Sequence, residues 1–400
     1  MVEQSGGEIG VFCLEEFGRV DDGTLRDGRS HVFKSRGACN EPAYHSVRLR
    51  SRLSDQYSDG TALGTHELTN IQNAFQGGLF GGNIGFSPDF TTFDGYALFE
   101  GVNASGYHGL WITDGTSSGT HEITGIANTF NTGLYPQDLT VFHGEVIFDG
   151  LDAAENAGVW VTDGTAQGTH ELNINGEFLG AGGMFGGAGN QGVAVNPDFT
   201  VFNKEVLFVG TDSNAKTGLW ATDGTSSGTH EITTATGTAQ NLTVFNNEVL
   251  FAGGDHGLWV TDGTAKGTHE LNGIENAYPG ALSPSNFVVF DGKALFEGMD
   301  AQNHESLWVT NGTASGTHEL VGIKNANPNG LDPQEMTVLN GEVLFRGVDA
   351  NGQINLWITN GTAQGTHELT GIADAYAGES GLNAHAIANV ALGHHDFLLM

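Results

Sequence analysis

Short apolar runs separated by tight-turn signals fill the chain from residue 55 onward, in two alternating phrases. The first phrase is a pair of such runs around Asn-Gly, Asp-Gly or a similar dipeptide, as at residues 139–148. Apolar residues flanking such a pair are the strongest short-range signal for a β-hairpin. The second phrase is Leu/Val-Trp-x-Thr-Asp/Asn-Gly-Thr-x-x-Gly-Thr-His-Glu-Leu/Ile. It also predicts a hairpin, because Gly allows positive φ and Asp or Asn caps a turn.

The second phrase occurs six times, and each copy contains one of the six tryptophans. Consecutive tryptophans are 49, 60, 39, 49 and 49 residues apart. A decayed copy at residues 55–68 retains Asp59 and the Gly-Thr-His-Glu-Leu ending but lacks the Leu-Trp pair. Repetition at this period, with two hairpins per unit, predicts the four-stranded blades of a β-propeller. The runs are apolar at consecutive positions, as expected for strands that neighbouring blades cover on both faces.

The two ends of the chain predict how the ring closes. Residues 55–68 supply half a unit, and residues 387–400 resemble a degraded first hairpin. Six complete units and two halves predict an all-β propeller of seven four-stranded blades, the last closed by both chain ends. Six blades is the alternative. Residues 1–54 match no repeat and are expected to be a poorly ordered extension, consistent with a wrong gene start, and residues 55–400 are the propeller.

Charge is distributed unevenly along the chain. The net charge is −33, and all of it comes from residues 55–400, which hold 39 acids against 6 bases. Nucleic acid is not an expected partner, because its binding depends on Lys and Arg that neutralise phosphates. The acidity fits a secreted, very soluble protein or one that lives with divalent cations. The first 54 residues contain no apolar run long enough for a signal peptide, and no membrane insertion is expected.

The repeated phrase resembles the ELWxxDGT repeat of bacterial secreted and surface proteins, over about residues 55–400. The resemblance implies a propeller that is extracellular or on the cell surface without an N-terminal signal peptide, in a family often found beside calcium-binding or adhesive modules. One departure is that the Glu before Leu-Trp is missing in every copy. Its place is taken by Gly109, Gly158, Gly218, Gly257, Ser306 and Asn355. No role of that Glu can be transferred to this chain.

The residues repeated in every unit are predicted to be structural. The tryptophans are expected in the core, because apolar residues flank them: Trp111, Trp160, Trp220, Trp259, Trp308 and Trp357. The turn residues are expected to cap turns, since Asn is a poorer calcium ligand than Asp and replaces it in two units: Asp114, Asp163, Asp223, Asp262, Asn311 and Asn360. The His of His-Glu is expected to pack between blades and to bond to the backbone, because no copy has the second His of His-Glu-x-x-His.

A further Asp in the loop between the two hairpins is a candidate calcium ligand. These residues are Asp152, Asp212, Asp255, Asp300 and Asp349. Two of the loops place oxygen-bearing residues at alternate positions, as a calcium loop does, but neither has the Gly and distal Glu of that motif. An ordinary solvated loop is the alternative. Calcium is the one cofactor that the sequence suggests.

Two functions from different classes fit the sequence. No Gly-x-Ser-x-Gly elbow is present, and the glycine-rich connectors at residues 76–85 and 180–192 lack the Lys of a phosphate-binding loop. The near-identical units therefore favour a non-catalytic, monomeric propeller that binds a protein or glycan surface ligand as an adhesion scaffold. The alternative is a glycan-active hydrolase or lyase with its site at the central mouth. Carboxylates and His converging there from different blades would favour the enzyme, and an apolar lining would favour the scaffold.

Overall fold

The computed structural model describes residues 47–50, 54–57, 66–81, 88–174, 183–185 and 195–370. These residues confirm the predicted all-β class. They form six antiparallel four-stranded sheets, one three-stranded sheet and a single 3-10 turn at Ala314–Gly316. Within the same residues, no helix has the length and apolar character needed to cross a membrane.

Each four-stranded sheet is a blade whose strands pair in chain order. The three-stranded sheet contains β1 (Val47–Arg50), β2 (Ser54–Tyr57) and β3 (His66–Leu68). Blade 1 contains β4 (Thr91–Phe93), β5 (Tyr96–Val102), β6 (His108–Thr113) and β7 (His121–Glu122). Blade 2 contains β8 (Gln137–Phe142), β9 (Glu145–Leu151), β10 (Ala157–Thr162) and β11 (His170–Glu171). Blade 3 contains β12 (Thr200–Phe202), β13 (Glu205–Thr211), β14 (Thr217–Thr222) and β15 (His230–Thr233). Blade 4 contains β16 (Gln240–Phe245), β17 (Glu248–Gly253), β18 (Gly257–Thr261) and β19 (His269–Glu270). Blade 5 contains β20 (Ser285–Phe290), β21 (Lys293–Met299), β22 (Glu305–Thr310) and β23 (His318–Glu319). Blade 6 contains β24 (Gln334–Leu339), β25 (Glu342–Val348), β26 (Ile354–Thr359) and β27 (His367–Glu368).

The blades are arranged as in a propeller, with the first strand of each blade innermost. The first strands of consecutive blades lie side by side from blade 1 to blade 6. Hydrogen bonds join them: Thr91 Oγ1 donates to the Leu139 carbonyl at 2.6 Å, from blade 1 to blade 2. The core lies between blades, where Leu110 of blade 1 packs in one cluster with Val146 and Phe148 of blade 2. The second and third strands are therefore buried on both faces, as their consecutive apolar residues predicted.

The decayed copy at residues 55–68 also forms a hairpin. In blade 1 the tryptophan Trp111 pairs with Glu122, and at the equivalent place Gln56 pairs with Glu67. The strand β1 precedes this hairpin, and β2 begins at Ser54, so the expected domain boundary at residue 55 falls inside a strand. Most of residues 1–54 and all of residues 387–400, expected to complete a seventh blade, lie outside the described residues.

Candidate functional site

The Asp or Asn of the Trp phrase closes the turn between the third and fourth strands. In blade 1 the amide and hydroxyl of Thr116 donate to Asp114 Oδ1 at 2.8 and 2.7 Å. Asn311 accepts the same two bonds from Thr313, at 3.0 and 2.7 Å. The other members of the set, Asp163, Asp223, Asp262 and Asn360, do the same in their blades. Each turn holds one such side chain, and Asn serves as well as Asp, which is the geometry of a turn cap.

The tryptophans belong to the core between blades. Five of them are buried and Trp259 is half-buried. Each indole stacks on a Phe of the second strand, with ring centroids 6.2 to 6.4 Å apart. Trp160 Nε1 donates to the Gly150 carbonyl at 3.1 Å, and Trp220, Trp308 and Trp357 make the equivalent bond. No such bond is formed by Nε1 of Trp111 or Trp259. The five buried indoles are enclosed by protein and are not available to stack on a ligand.

Four of the five loop aspartates that are candidate calcium ligands accept backbone hydrogen bonds within their own loops. Asp152 Oδ1 accepts the amides of Ala154 and Asn156 at 2.8 and 2.7 Å. The equivalent oxygens of Asp212, Asp300 and Asp349 accept the same pair of amides. Asn103 takes this place in blade 1, and Asp255 lies exposed in a shorter loop. The five residues lie in five different blade loops, four of them bonded to the backbone of their own loop, and the structure does not bring the five together.

The prediction that the repeat histidines pack between blades is wrong. The repeat histidine of each of the six blades is exposed on the fourth strand; these residues are His121, His170, His230, His269, His318 and His367. The expected backbone bond is present in three of them, whose Nδ1 lies 3.1 to 3.3 Å from the carbonyl oxygen two residues earlier. The fourth strand is short and outermost, so no further strand covers it, and the His side chain faces solvent.

Residues that differ from blade to blade gather at one end of the ring. In a hairpin, the start of the first strand lies beside the end of the second, as the pairing of Gln137 with Asp149 shows. Two residues per blade define this end, which we name the axial mouth. On the second strand they are Glu100, Asp149, Val209, Ala252, Glu297 and Arg346, and at the start of the first strand Asp89, Asp138, Asp198, Asn241, Asn286 and Glu335.

Carboxylates at the start of the first strand link neighbouring blades. All six residues there have positive φ, between 47° and 60°, which Asp and Asn tolerate better than most residues. Asp89 Oδ2 accepts the amide of Leu139 in the next blade at 2.8 Å. Asp198 Oδ2 accepts the amide of Leu242 in the next blade at 2.9 Å. The positive-φ backbone thus places Asp89 and Asp198 where their carboxylates bond to the first strand of the next blade.

The first mouth cluster contains Glu100, His108, Asp138 and Asp149, from blades 1 and 2. Glu100 Oε1 lies 2.7 Å from His108 Nδ1, and burial raises the pKa of Glu100 although this hydrogen bond opposes the shift. Burial, followed by the charges of Asp138, Glu100 and Asp89, raises the pKa of Asp149 to about 8. Its Oδ1 is buried without a hydrogen-bond partner. Asp149 is therefore a largely neutral carboxylic acid at neutral pH, among other acids.

The second mouth cluster contains Glu297, Glu305 and Asp332, from blade 5 and the connector to blade 6. One carboxylate oxygen from each lies within 4.8 Å of the other two. Burial raises the pKa of Glu297, and the charges of Glu305 and Asp332 raise it further. Gln334 Nε2 donates to Asp332 Oδ1 at 2.6 Å, and Gln334 Oε1 accepts a hydrogen bond from the Arg346 guanidinium. None of the five predicted calcium residues belongs to this oxygen-rich group.

The sequence reasoning missed both clusters, although one signal was present. In each of the six units the second strand contains Phe-x-Gly near its end, and the middle residue is in turn Glu, Asp, Val, Ala, Glu and Arg. A position that varies within an otherwise constant phrase is free of the demands of packing. It is therefore where chemistry specific to one blade can reside.

No protein-family model and no curated protein sequence matches the chain. Among solved structures, the computationally designed Ika8 protein is 13% identical with a TM-score of 0.43, covering 79% of this chain and 81% of that one. Puromycin hydrolase is 11% identical with a TM-score of 0.42. The match covers 80% of this chain but only 50% of the length of puromycin hydrolase. The β-propeller domain of the Trilobed protease from Pyrococcus furiosus is 12% identical with a TM-score of 0.35, covering 70% of this chain and 83% of that domain. Likenesses this weak carry no information about activity.

Proposed function

We propose that the protein is a ligand-binding propeller that takes its ligand at the axial mouth. The observation that supports this is a division between two sets of residues. The Trp and the turn Asp or Asn repeated in every blade are used in packing and turn closure, whereas the residues that vary at the end of the second strand lie at the mouth. A binding site needs unlike polar groups in one place, and the mouth is where six blades supply them. Carboxylates and amides there can bond to hydroxyl and amide groups, so a glycan or a polar protein surface is the ligand class that fits.

The proposal includes a location outside the cell or at the cell surface, where the protein acts as a monomeric adhesion scaffold. Support comes from the resemblance of the repeat to secreted and surface proteins, and from the 39 acids of residues 55–400, which favour solubility. A scaffold function also fits the absence of catalytic motifs such as a nucleophile elbow from the sequence.

Glycan hydrolysis is the second candidate, and the first mouth cluster is the observation that favours it. Carboxylates and a His do converge there from two blades, which is the feature expected of the enzyme. Glycosidases pair a carboxylic acid that has kept its proton with a carboxylate that has lost one. Asp149, with its pKa raised to about 8, has the protonation state of the acid. It would protonate the glycosidic oxygen while a carboxylate such as Asp138 takes a proton from water.

A matched pair of double variants tests the site. Glu100→Gln with Asp149→Asn changes two acids at the mouth. Glu145→Gln with Glu248→Gln changes two acids at the start of second strands, at the opposite end of the ring. Both pairs are compared with the wild type on a panel of bacterial and host-type glycans. The proposal expects binding to fall only in the mouth variant, and equal binding by both variants would exclude the mouth as the site.

Mass spectrometry of the incubated glycans separates the two candidates. Shortened products that disappear with Asp149→Asn would establish hydrolysis. Stable, intact complexes that depend on the mouth would establish a binding scaffold.

A further inference from the structure

The innermost strand of five consecutive blades carries an exposed valine at the same place. In blade 2 this residue is Val141, and the exposed fraction of the five valines is 39–46%. The next residue, Phe142, is buried and packs against Phe208 of blade 3. Successive residues of a strand point to opposite faces, so Val141 points away from blade 3. Because it is exposed on an innermost strand, it faces the axial channel. We name this set the valine ring; its members are Val141, Val201, Val244, Val289 and Val338.

The valine ring lies at the end of the channel opposite the axial mouth. Val141 is three residues beyond Asp138 of the mouth, which is about 10 Å along a strand, and the turn at His143-Gly144 follows. Strand propensity does not require an apolar residue there, because Thr suits a strand as well as Val and is polar. Blade 1 has the exposed Thr92 at the equivalent place. The innermost strands lie side by side, so the valines form one contiguous apolar set, which is a feature of interaction surfaces.

Acidic side chains surround the valine ring. They belong to the turns that follow the innermost strands and to the first residues of the second strands. The bases there are Lys204, Lys293 and His143, and the acids are Asp94, Glu145, Glu205, Glu248, Asp291 and Glu342. Within the described ranges, no ion pair joins these acids to a base. A second copy of this chain would bring the same acids against one another, so charge opposes self-association through this end.

We propose that the valine ring docks a basic segment of another protein, which inserts an aliphatic side chain into the channel. The apolar side chain matches the valines, because both are removed from water on contact. Lys or Arg residues beside it match the surrounding acids, which the protein itself does not neutralise. This inference goes beyond the proposed function, because it assigns a partner to the end of the channel that lies opposite the ligand-binding mouth.

Titration of the full chain with blocked peptides tests both parts of the match. The peptides are Lys-Lys-Leu-Leu-Lys-Lys, its apolar-deleted counterpart Lys-Lys-Ser-Ser-Lys-Lys and its charge-reversed counterpart Glu-Glu-Leu-Leu-Glu-Glu. The test variant combines Val141→Thr, Val244→Thr and Val338→Thr, substitutions that Thr92 shows an innermost strand accepts. Val321→Thr is the matched control, because Val321 is 63% exposed in the connector after β23, outside the ring.

The wild type is expected to bind Lys-Lys-Leu-Leu-Lys-Lys at least ~10-fold more tightly than either counterpart. The triple variant should weaken this binding at least ~10-fold, because each buried methyl group accounts for about a fourfold change in affinity. Val321→Thr should leave the affinity unchanged. Glu205→Gln with Glu342→Gln should weaken binding at low salt and reduce its dependence on salt, since the acids act through charge.

Other outcomes overturn the inference. Equal affinity for the Leu and Ser peptides, or no binding of the Leu peptide, excludes the valine ring as a docking site. If Glu100→Gln with Asp149→Asn abolishes peptide binding and the triple variant does not, the peptide enters the mouth instead. If the wild type self-associates in sedimentation experiments and the triple variant does not, a second copy of the chain is the occupant. Each of these failures leaves the glycan binding of the mouth, which is measured separately, untouched.

Discussion

Two tryptophans in neighbouring blades are equally buried and stack alike on a Phe, but they differ in one hydrogen bond and in the clusters around them, which contain Leu79 and Phe80 for Trp111 and Leu98 and Leu110 for Trp160. Trp111 and Trp160 are both fully buried, and each stacks on a Phe with ring centroids 6.4 Å apart. Trp160 Nε1 donates to the Gly150 carbonyl at 3.1 Å, whereas Trp111 Nε1 is buried without a partner. Replacing each tryptophan by Phe therefore isolates the contribution of that bond to stability.

The two substitutions should differ by about 2–4 kcal/mol in the free energy of unfolding, as the sum of two terms. Each removes the same atoms from an equally buried site, so most of the cavity cost cancels in the comparison. Trp160→Phe also loses a hydrogen bond worth about 1 kcal/mol net. Trp111→Phe instead removes an unpaired buried donor, whose desolvation costs about 1–3 kcal/mol. Trp160→Phe is thus expected to be the more destabilising change.

Urea unfolding followed by circular dichroism measures the difference, provided that the two variants have equal m-values. Hydrogen exchange of the β5 and β9 amides gives a local check, because each repeat is coupled mainly to its neighbours. Equal losses of stability, or a larger loss for Trp111→Phe, would refute the reasoning. Such a result would mean that the Trp111 indole N–H is paired in solution.

Three further predictions concern a turn, a close contact and a titrating group. Asp163→Ala should destabilise the protein by about 1–2 kcal/mol, because two hydrogen bonds lose their acceptor. Asp163→Asn should cost under ~0.5 kcal/mol, because Asn311 accepts the same two hydrogen bonds in blade 5. Thermal unfolding of the two variants is the measurement, and equal losses would contradict the turn cap. Gly150→Ala should destabilise by about 1–3 kcal/mol in the same assay, since its Cβ would lie 3.0 Å from Trp160 Cδ1, and an unchanged midpoint would contradict that packing. Asp149→Asn should stabilise the protein increasingly with pH. Asp149 keeps its proton in the folded protein up to a pKa of about 8, whereas in the unfolded chain it loses the proton near pH ~4. Between these two pH values the wild type therefore loses up to ~1.4 kcal/mol of folding stability per pH unit. Unfolding measured from pH ~4 to ~9 checks this, and a difference that does not change with pH would contradict it.

The blades could be predicted because their signals are local. A turn such as Asn340-Gly341, in which both residues have positive φ, specifies a hairpin from two adjacent residues. The exposure of His121 was not predictable in the same way. Its neighbours in sequence have the pattern of a packed strand, but exposure depends on whether another strand lies beyond the edge, which only the assembled ring decides.

The mouth clusters could not be predicted because they depend on which blades meet and how closely. Glu100 and Asp149 lie in equivalent strands of different blades, and nothing in the local sequence shows that their charges interact. The left-handed conformation of Asp89 and Asp138 is also needed to bring acids to the axis. An acidic chain offers many pairs of carboxylates, so composition alone cannot identify the pair that the fold buries.

Residues that are repeated in every blade present the same groups all around the axis, so they cannot orient a ligand. The residues of the axial mouth differ from blade to blade and therefore break this symmetry. At one fixed position of the second strand, blades 1, 2 and 5 carry Glu100, Asp149 and Glu297, blades 3 and 4 carry apolar residues, and blade 6 carries Arg346. A ligand held there would meet acids, apolar side chains and one guanidinium at different angles around the axis, so this uneven set of charges can fix its orientation. Because specificity is a difference between affinities, this unequal set of charges can discriminate among ligands of similar shape where the repeated residues cannot.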